Sequence, residues 1–330
     1  MTVHVIHENP EWYAPLAAAF DAAGVPHRKW LLGTGVLDLD AEPPAGVFWS
    51  RMSASSHSRG HPFAKDQTRG VLTWLECHGR RVVNGRRVLD LEMSKVEQLA
   101  LLRAAGFDVP RTLAVAGPDD LAEAARRLPV PFIGKHNQGG KGVSVRLFGS
   151  HEEFTAYLSG PDYLPPVDGI TLLQEYLRPA QPRITRVEIV GAEFMYAITA
   201  DTARGGFELC PADACAVPPP GGAPGPADVP GLAGVPGGDG GIFALREGFD
   251  HPVIGRYTDF ARRHGIEIAG FEFIETADGR LVTYDINSTT NYNAAIEAVA
   301  PRPALPAVAS FFKRLLAGEP RPVAAERGPT

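Results

Sequence analysis

Glu272, Asp285 and Asn287 are the residues whose types and spacing most directly suggest chemistry. They lie in IEIAGFEFIETADGRLVTYDINSTTNYN, which reads as two strands joined at Asp278-Gly279, a dipeptide suited to a two-residue hairpin turn. Such a turn sets Ala277 opposite Arg280, and counting outward in pairs brings Glu272 opposite Asp285. Asn287, two residues further on, projects from the same face as Asp285. Facing carboxylates on adjacent strands have Cβ atoms about 5 Å apart and repel unless a positive charge lies between them. Two carboxylates and an amide oxygen form an oxygen-only donor set that suits Mg²⁺, with Mn²⁺ as the alternative metal. The competing reading is a solvated acidic hairpin face, and the rest of the chain decides between the two.

Lysines and glycines supply the complementary charge. Lys135 follows the apolar strand PFIG, and Gly139, Gly140, Lys141 and Gly142 come directly after it. Glycines let backbone N–H groups approach an anion closely, so this segment can cradle phosphates as well as serve as an ordinary turn. No G-x-x-x-x-G-K-[ST] occurs, which excludes a P-loop. Lys95 opens a helix behind a capping box, in which Ser94 takes the Glu97 N–H and Glu97 reaches back. For a substrate, RMSASSHSRGH follows an apolar strand, and Arg51, His57, Arg59 and His61 could grip a carboxylate there. A solvated polar loop is the equal alternative. Asn291, Asn293, Arg204 and Asp213 are weaker candidates for substrate contact.

The elements that must position these residues alternate strand and helix. VHVIH and GVFWS read as buried strands, with a helix ending at Gly24 between them and another from Phe63 to His78. After the Lys95 helix, which ends at Gly106, come the strand of FDVPRTLAVAG, the helix PDDLAEAARRL and two strands flanking the glycine loop. SHEEFTAYL reads as a helix, TLLQEYL as a strand, ITRVEIVGAEFMYAITA as a hairpin turning at Gly191, and VIGRYTDFARRHG as a helix. Residues 216–241 are almost all Gly, Pro, Ala, Val and Asp, a composition expected of a flexible insertion. An α/β (α+β) chain divided at 1–92, 93–173 and 174–322 is expected.

Bulk composition narrows the partners. The chain has 330 residues, 44% hydrophobic, and a net charge of −6, which argues against general attraction to nucleic acid or an anionic membrane. No apolar stretch approaches the roughly 20 residues needed to span a bilayer, and no secretory h-region is apparent at the start. The three cysteines, Cys77, Cys210 and Cys215, fit a reducing, cytoplasmic setting better than a disulfide framework or a zinc site. A small-molecule or peptide substrate is the simpler partner, and a homodimer is left open.

Taken in order, these features resemble the ATP-grasp superfamily: a lysine at a helix start, a strand lysine before a glycine loop, QEYL, an arginine-bearing strand and an acidic hairpin ending D-x-N. Within it the chain is most similar to the carboxylate–amine ligases of the ribosomal S6 modification enzyme and glutathione synthetase group. The resemblance covers about residues 90–300, and the first 90 fit that superfamily's Rossmann-like pre-ATP-grasp domain. It implies that Lys95 and Lys135 hold ATP phosphates and that residues 139–142 close over them. It implies an adenine strand at Gln174, Glu175, Tyr176 and Leu177, and a catalytic Arg186 beside Lys135 facing the transferred phosphoryl group. Glu272, Asp285 and Asn287 match its Mg²⁺ ligands, the trio that the hairpin count selects by itself. The activity implied is ATP- and Mg-dependent amide-bond formation through an acylphosphate, on an amino acid, peptide or similar carboxylate. The alternatives are a phosphotransferase that leaves the phosphoryl group on its product, and a non-catalytic nucleotide binder. Three departures bear on substrate. Ile184 stands where the group usually has Asp, no acid follows QEYL to meet a ribose, and STTNYN replaces the usual turn after Asn287.

Overall fold

The computed structural model describes residues 1–140, 142, 144–205 and 242–318. Lys141, the expected insertion at 216–241, and Asp213, Cys210 and Cys215 lie outside the described residues. The strands of the described residues form three sheets.

The first sheet is parallel, in the order β2-β1-β3-β4, from β1 (Thr2–His7), β2 (His27–Leu31), β3 (Gly46–Ser50) and β4 (Arg81–Val83). Burial on both faces explains why VHVIH and GVFWS read as continuous apolar runs. The edge strand β2, HRKWL, is half exposed and carries no such run. α1 (Ala14–Ala22), α2 (Ala64–Cys77) and α3 (Arg86–Glu92) accompany this sheet. Leu72 and Leu75 of α2 pack with Phe48 on one face, and Val5 and Trp49 pack with Phe20 of α1 on the other.

α4 (Lys95–Ala104) then leads to an antiparallel sheet ordered β5-β8-β6-β7, from β5 (Thr112–Ala116), β6 (Phe132–His136), β7 (Arg146–Phe148) and β8 (Ile170–Glu175). α5 (Leu121–Ala125) and α6 (His151–Leu158) cover one face through Phe132, Phe148 and Phe154. The other face looks toward the cavity described below.

The largest sheet is antiparallel, ordered β11-β10-β9-β12-β13, from β9 (Arg183–Val190), β10 (Glu193–Asp201), β11 (Phe243–Leu245), β12 (Ile268–Glu275) and β13 (Leu281–Asn287). The β9–β10 hairpin turns at Gly191 as expected, with left-handed φ of 63° at Gly191 and 57° at Ala192. After α7 (Thr202–Gly205), α8 (Val253–His264) packs Tyr257 and Phe260 against Phe271 on one face. α9 (Ala294–Val299) and α10 (Ala304–Leu316) lie on the other. Phe312 of α10 meets Trp49 and Phe20, so one helix seals this sheet against the first.

Candidate active site

The β12–β13 ribbon pairs Glu272 with Asp285, as counted from the sequence, but by a different route. Its turn is a three-residue loop, with Thr276 opposite Arg280 and Gly279 at φ 85°, where Ala277 opposite Arg280 was expected. That choice displaces the pairing by one residue, giving Phe273 opposite Thr283. A bulge at Tyr284 restores it, and brings the Tyr284 hydroxyl to donate to Glu272 Oε2 at 2.8 Å. Asn287 lines the same cavity as the two acids, its amide oxygen accepting from the Thr289 backbone and hydroxyl.

Cations from three elements converge on these acids. Lys95, at the first turn of α4, forms an ion pair with Asp285. Burial works to lower the Lys95 pKa, but the charge and hydrogen bond of Asp285 outweigh it, and the pKa is raised. Arg186 on β9 lies beside Glu272 across β12 and is 4% exposed; it donates to Glu188 at 2.6 Å, to Glu272 at 3.1 Å and to Thr290 Oγ1. Its neighbour Gly270 is required, since a Cβ there would stand 2.3 Å from Arg186 Nε. Lys135, at the inner end of β6, is buried and has no hydrogen bond or ion pair to any described residue. Burial, with the nearby Lys95 charge, pushes its pKa down to about 8. A desolvated ammonium of this kind calls for an anion. Glu272 is moved upward by burial against the pull of Arg186.

One cavity joins these groups to an apolar slot. Ile133, Val145, Tyr176, Leu177, Ile184, Ile274 and Ile286 supply the apolar lining of the slot, while Gly139, Gly140, Gly142 and Ser144, between β6 and β7, form a flap on the same cavity. A Cβ on Gly140 would stand 3.1 Å from Ser55 Oγ, so the flap lies against the 51–61 loop of the first sheet. Lys65 on α2 donates to Gln138 beside it.

No family model matches the chain. A probable alpha-L-glutamate ligase of Xanthomonas oryzae pv. oryzae (strain MAFF 311018) is 29% identical over 138 residues, 42% of this chain. The match spans 46% of that protein, less than half its length. Among solved structures, a RimK domain protein ATP-grasp from Sphaerobacter thermophilus DSM 20745 superposes with a TM-score of 0.64 at 15% identity, over 94% of this chain and 99% of that one. ATP-grasp ligase PsnB, complexed with minimal precursor, Mg and ADP, gives 0.62 at 14% identity over 94% and 96%. D-cycloserine synthetase DcsG gives 0.61 at 14% identity over 96% and 100%. The chain has the ATP-grasp fold.

Of the residues singled out in the sequence, Lys95, Lys135, Gly139, Gly140, Gly142, Gln174, Tyr176, Leu177, Arg186, Glu272, Asp285 and Asn287 line the cavity just described. Glu175 does not; its carboxylate accepts the Arg111 N–H at 2.8 Å. Gln174 is buried, and donates to Thr112 Oγ1 at 2.8 Å. In the substrate loop, Arg51, His57 and Arg59 are turned to internal partners. Arg51 is buried on Trp49, His57 is hydrogen bonded at the Ala54 carbonyl, and Arg59 pairs with Glu8. Ser53, Ser55 and Asn291 line the cavity instead, while Asn293 caps α9 by accepting the Ile296 N–H at 3.1 Å. The Ser94 cap forms at 3.2 Å, but Glu97 pairs with Arg87 in place of reaching back.

Sequence reasoning missed Glu92, Gln98, Asn137 and Tyr284. Glu92 is a buried carboxylate on the cavity wall that accepts from the Ser288 N–H and hydroxyl, both at 2.8 Å; burial raises its pKa against those bonds. Asn137 accepts the Val96 N–H at 3.0 Å, fixing the start of α4 to the strand that carries Lys135. A residue that acts only through tertiary hydrogen bonds leaves no local signature. Among the described residues, no helix is long and apolar enough to cross a membrane.

Proposed function

We propose that this chain is an ATP- and Mg²⁺-dependent carboxylate–amine ligase that activates its carboxylate as an acylphosphate. The observation that carries the reading is the buried Lys135 ammonium, unpaired among the described residues, in one cavity with the facing acids Glu272 and Asp285. Cation-seeking and anion-seeking groups side by side suit a metal–polyphosphate. The residues fit both guests. Glu272, Asp285 and Asn287 are hard oxygen donors, and Lys95 already occupies a cationic position against Asp285. Two similar proteins support it: PsnB, of the same fold, was solved with Mg and ADP, and the curated relative is named a probable alpha-L-glutamate ligase.

In this mechanism the apolar slot takes the adenine, and the flap's backbone N–H groups meet the phosphates. Bound Mg²⁺ would neutralise the charge of the phosphates. Lys95 turns from Asp285 to a phosphate oxygen, and Lys135 draws charge at the transferred group. Arg186, held by Glu188, keeps its guanidinium aimed at the same place. A substrate carboxylate oxygen attacks the γ-phosphorus, the bond to ADP breaks, and an amine then displaces phosphate from the acylphosphate. No side-chain nucleophile is needed, so catalysis is positioning and charge neutralisation. An amino acid, peptide or similar small acid is the class of carboxylate substrate.

The test is phosphate release from ATP with pooled amino acids and short peptides, followed by product mass. Release that needs both a carboxylate and an amine is expected, and Asp285→Asn should lower it at least about a hundredfold with an unchanged circular dichroism spectrum. A product that retains the phosphoryl group would replace the ligase with a phosphotransferase, and full activity in the variant would remove the metal assignment.

A further inference from the structure

Asn291, Ser53, Ser55 and Trp12 form a polar part of the cavity wall, brought there by the 51–61 loop and the 290 segment. Its chemistry follows from how each polar group is already used. Arg51 donates to the Trp12 carbonyl at 3.1 Å, to the Thr290 carbonyl at 2.6 Å and to Asn291 Oδ1 at 2.9 Å. A guanidinium can only donate, so the Asn291 atom facing it is the oxygen, and the amide NH₂ must point away. That NH₂ finds no acceptor among the described residues, and Asn291 lines the cavity. The serines are biased the same way. Ser53 Oγ accepts from the Ser55 N–H at 3.2 Å, Ser55 Oγ accepts from Arg59 at 3.0 Å, and the two hydroxyls are 2.9 Å apart. Whichever hydroxyl donates to the other, the recipient has both lone pairs filled and one O–H left for the cavity.

Charge points in the same direction. Arg51 is 3% exposed, and none of its partners among the described residues is an acid. A buried cation answered by carbonyl oxygens and the face of the Trp49 ring, with no carboxylate among those partners, favours an anion nearby. Two outward donors backed by an uncompensated charge describe a seat for a carboxylate. We infer that Asn291 binds a substrate carboxylate through its side-chain NH₂, with a hydroxyl of the Ser53–Ser55 pair as second donor. Arg51 is a positioning residue that orients Asn291 and supplies the field. This assignment depends on the ligase reading for its purpose, since it names the acid group of that reaction's substrate, and it replaces direct capture by Arg51.

The experiment follows the Asn291 side-chain NH₂ resonances in the full-length protein, identified as the pair absent from the Asn291→Leu spectrum. L-alanine, L-glutamate and alanyl-alanine are titrated at constant ionic strength, with L-alaninamide as the control lacking a carboxylate. A saturable shift with at least one acid and none with the amide is expected, and Arg51→Lys should weaken it. Asn291→Asp gives Arg51 a counter-ion and removes the donor. It should raise the half-saturating concentration of the acid in the phosphate-release assay by about 10–100-fold, with that of ATP unchanged. A purely structural Asn291 would instead leave the acid's half-saturation as in the wild type, which overturns the assignment, as does a pair that ignores every acid. A responsive pair without phosphate release keeps this site and removes the ligase; release with an unresponsive pair does the reverse.

Discussion

Lys135 is the residue in which site and solvent are most directly coupled. Its ammonium is stripped of water and has Lys95 nearby, so its pKa falls from 10.5 to about 8. A bound phosphate reverses the balance by favouring the charged form. Above about pH 8 the free protein therefore holds Lys135 neutral, and nucleotide binding must bring a proton with it. ADP affinity is expected to weaken as pH rises from about 8 toward 10.5. Isothermal titration at pH values in that window, in buffers of different ionisation enthalpy, should register the uptake of close to one proton by the wild type and none by Lys135→Met. Uptake that survives the substitution would assign the proton elsewhere. The residues that line this cavity were legible only as an ordered set, since the acidic hairpin alone reads equally as a solvated face and the glycine loop as a turn. The roles of Arg51 and Arg59 were not, because Glu8 and the 290 segment that engage them are remote in sequence.

At the scale of elements, edges decide what can be read. β13 is the last strand of its sheet, and part of its open edge is closed by a side chain. Gln98 on α4 accepts the Ile286 N–H at 3.1 Å and donates to the Ile286 carbonyl at 2.9 Å, the exchange a neighbouring strand would make. Those bonds fix the Lys95 helix to the strand of Asp285. Gln98→Leu keeps the volume and strands buried backbone groups, so a loss of about 2–4 kcal/mol is expected in urea denaturation. ADP affinity should fall in the same variant, and unchanged affinity would mean that α4 is placed by other contacts. Fully buried strands such as VHVIH and GVFWS announced themselves, whereas β2 did not, because three of its five residues are exposed and none is fully buried. The hairpin register came out right for Glu272 and Asp285 through two compensating irregularities. Asp278-Gly279 marks a turn, but loop length and the bulge at Tyr284 depend on what packs around the ribbon.

Across the whole molecule, Asn84 joins the first sheet to the largest. Buried and held at φ 49°, it accepts the Glu267 N–H at 3.0 Å and donates to the Ile268 and Ser288 carbonyls at 2.7 and 3.2 Å. Asparagine tolerates this backbone better than most residues, and its amide continues the ladder where β12 begins. Asn84→Ala should cost about 2–4 kcal/mol, since several buried groups lose their partner at once. The midpoint of thermal or urea unfolding measures it, and a change below about 1 kcal/mol would deny Asn84 that role. α10 adds the apolar half of the same union. Phe312 closes over Trp49 and Phe20, residues that leave the ribosome long before it does. During synthesis Trp49 and Phe20 therefore wait without the Phe312 ring until translation has passed α10, and α1 alone covers that face of the first sheet. Nascent molecules of this protein must spend that interval with a sticky face available to chaperones.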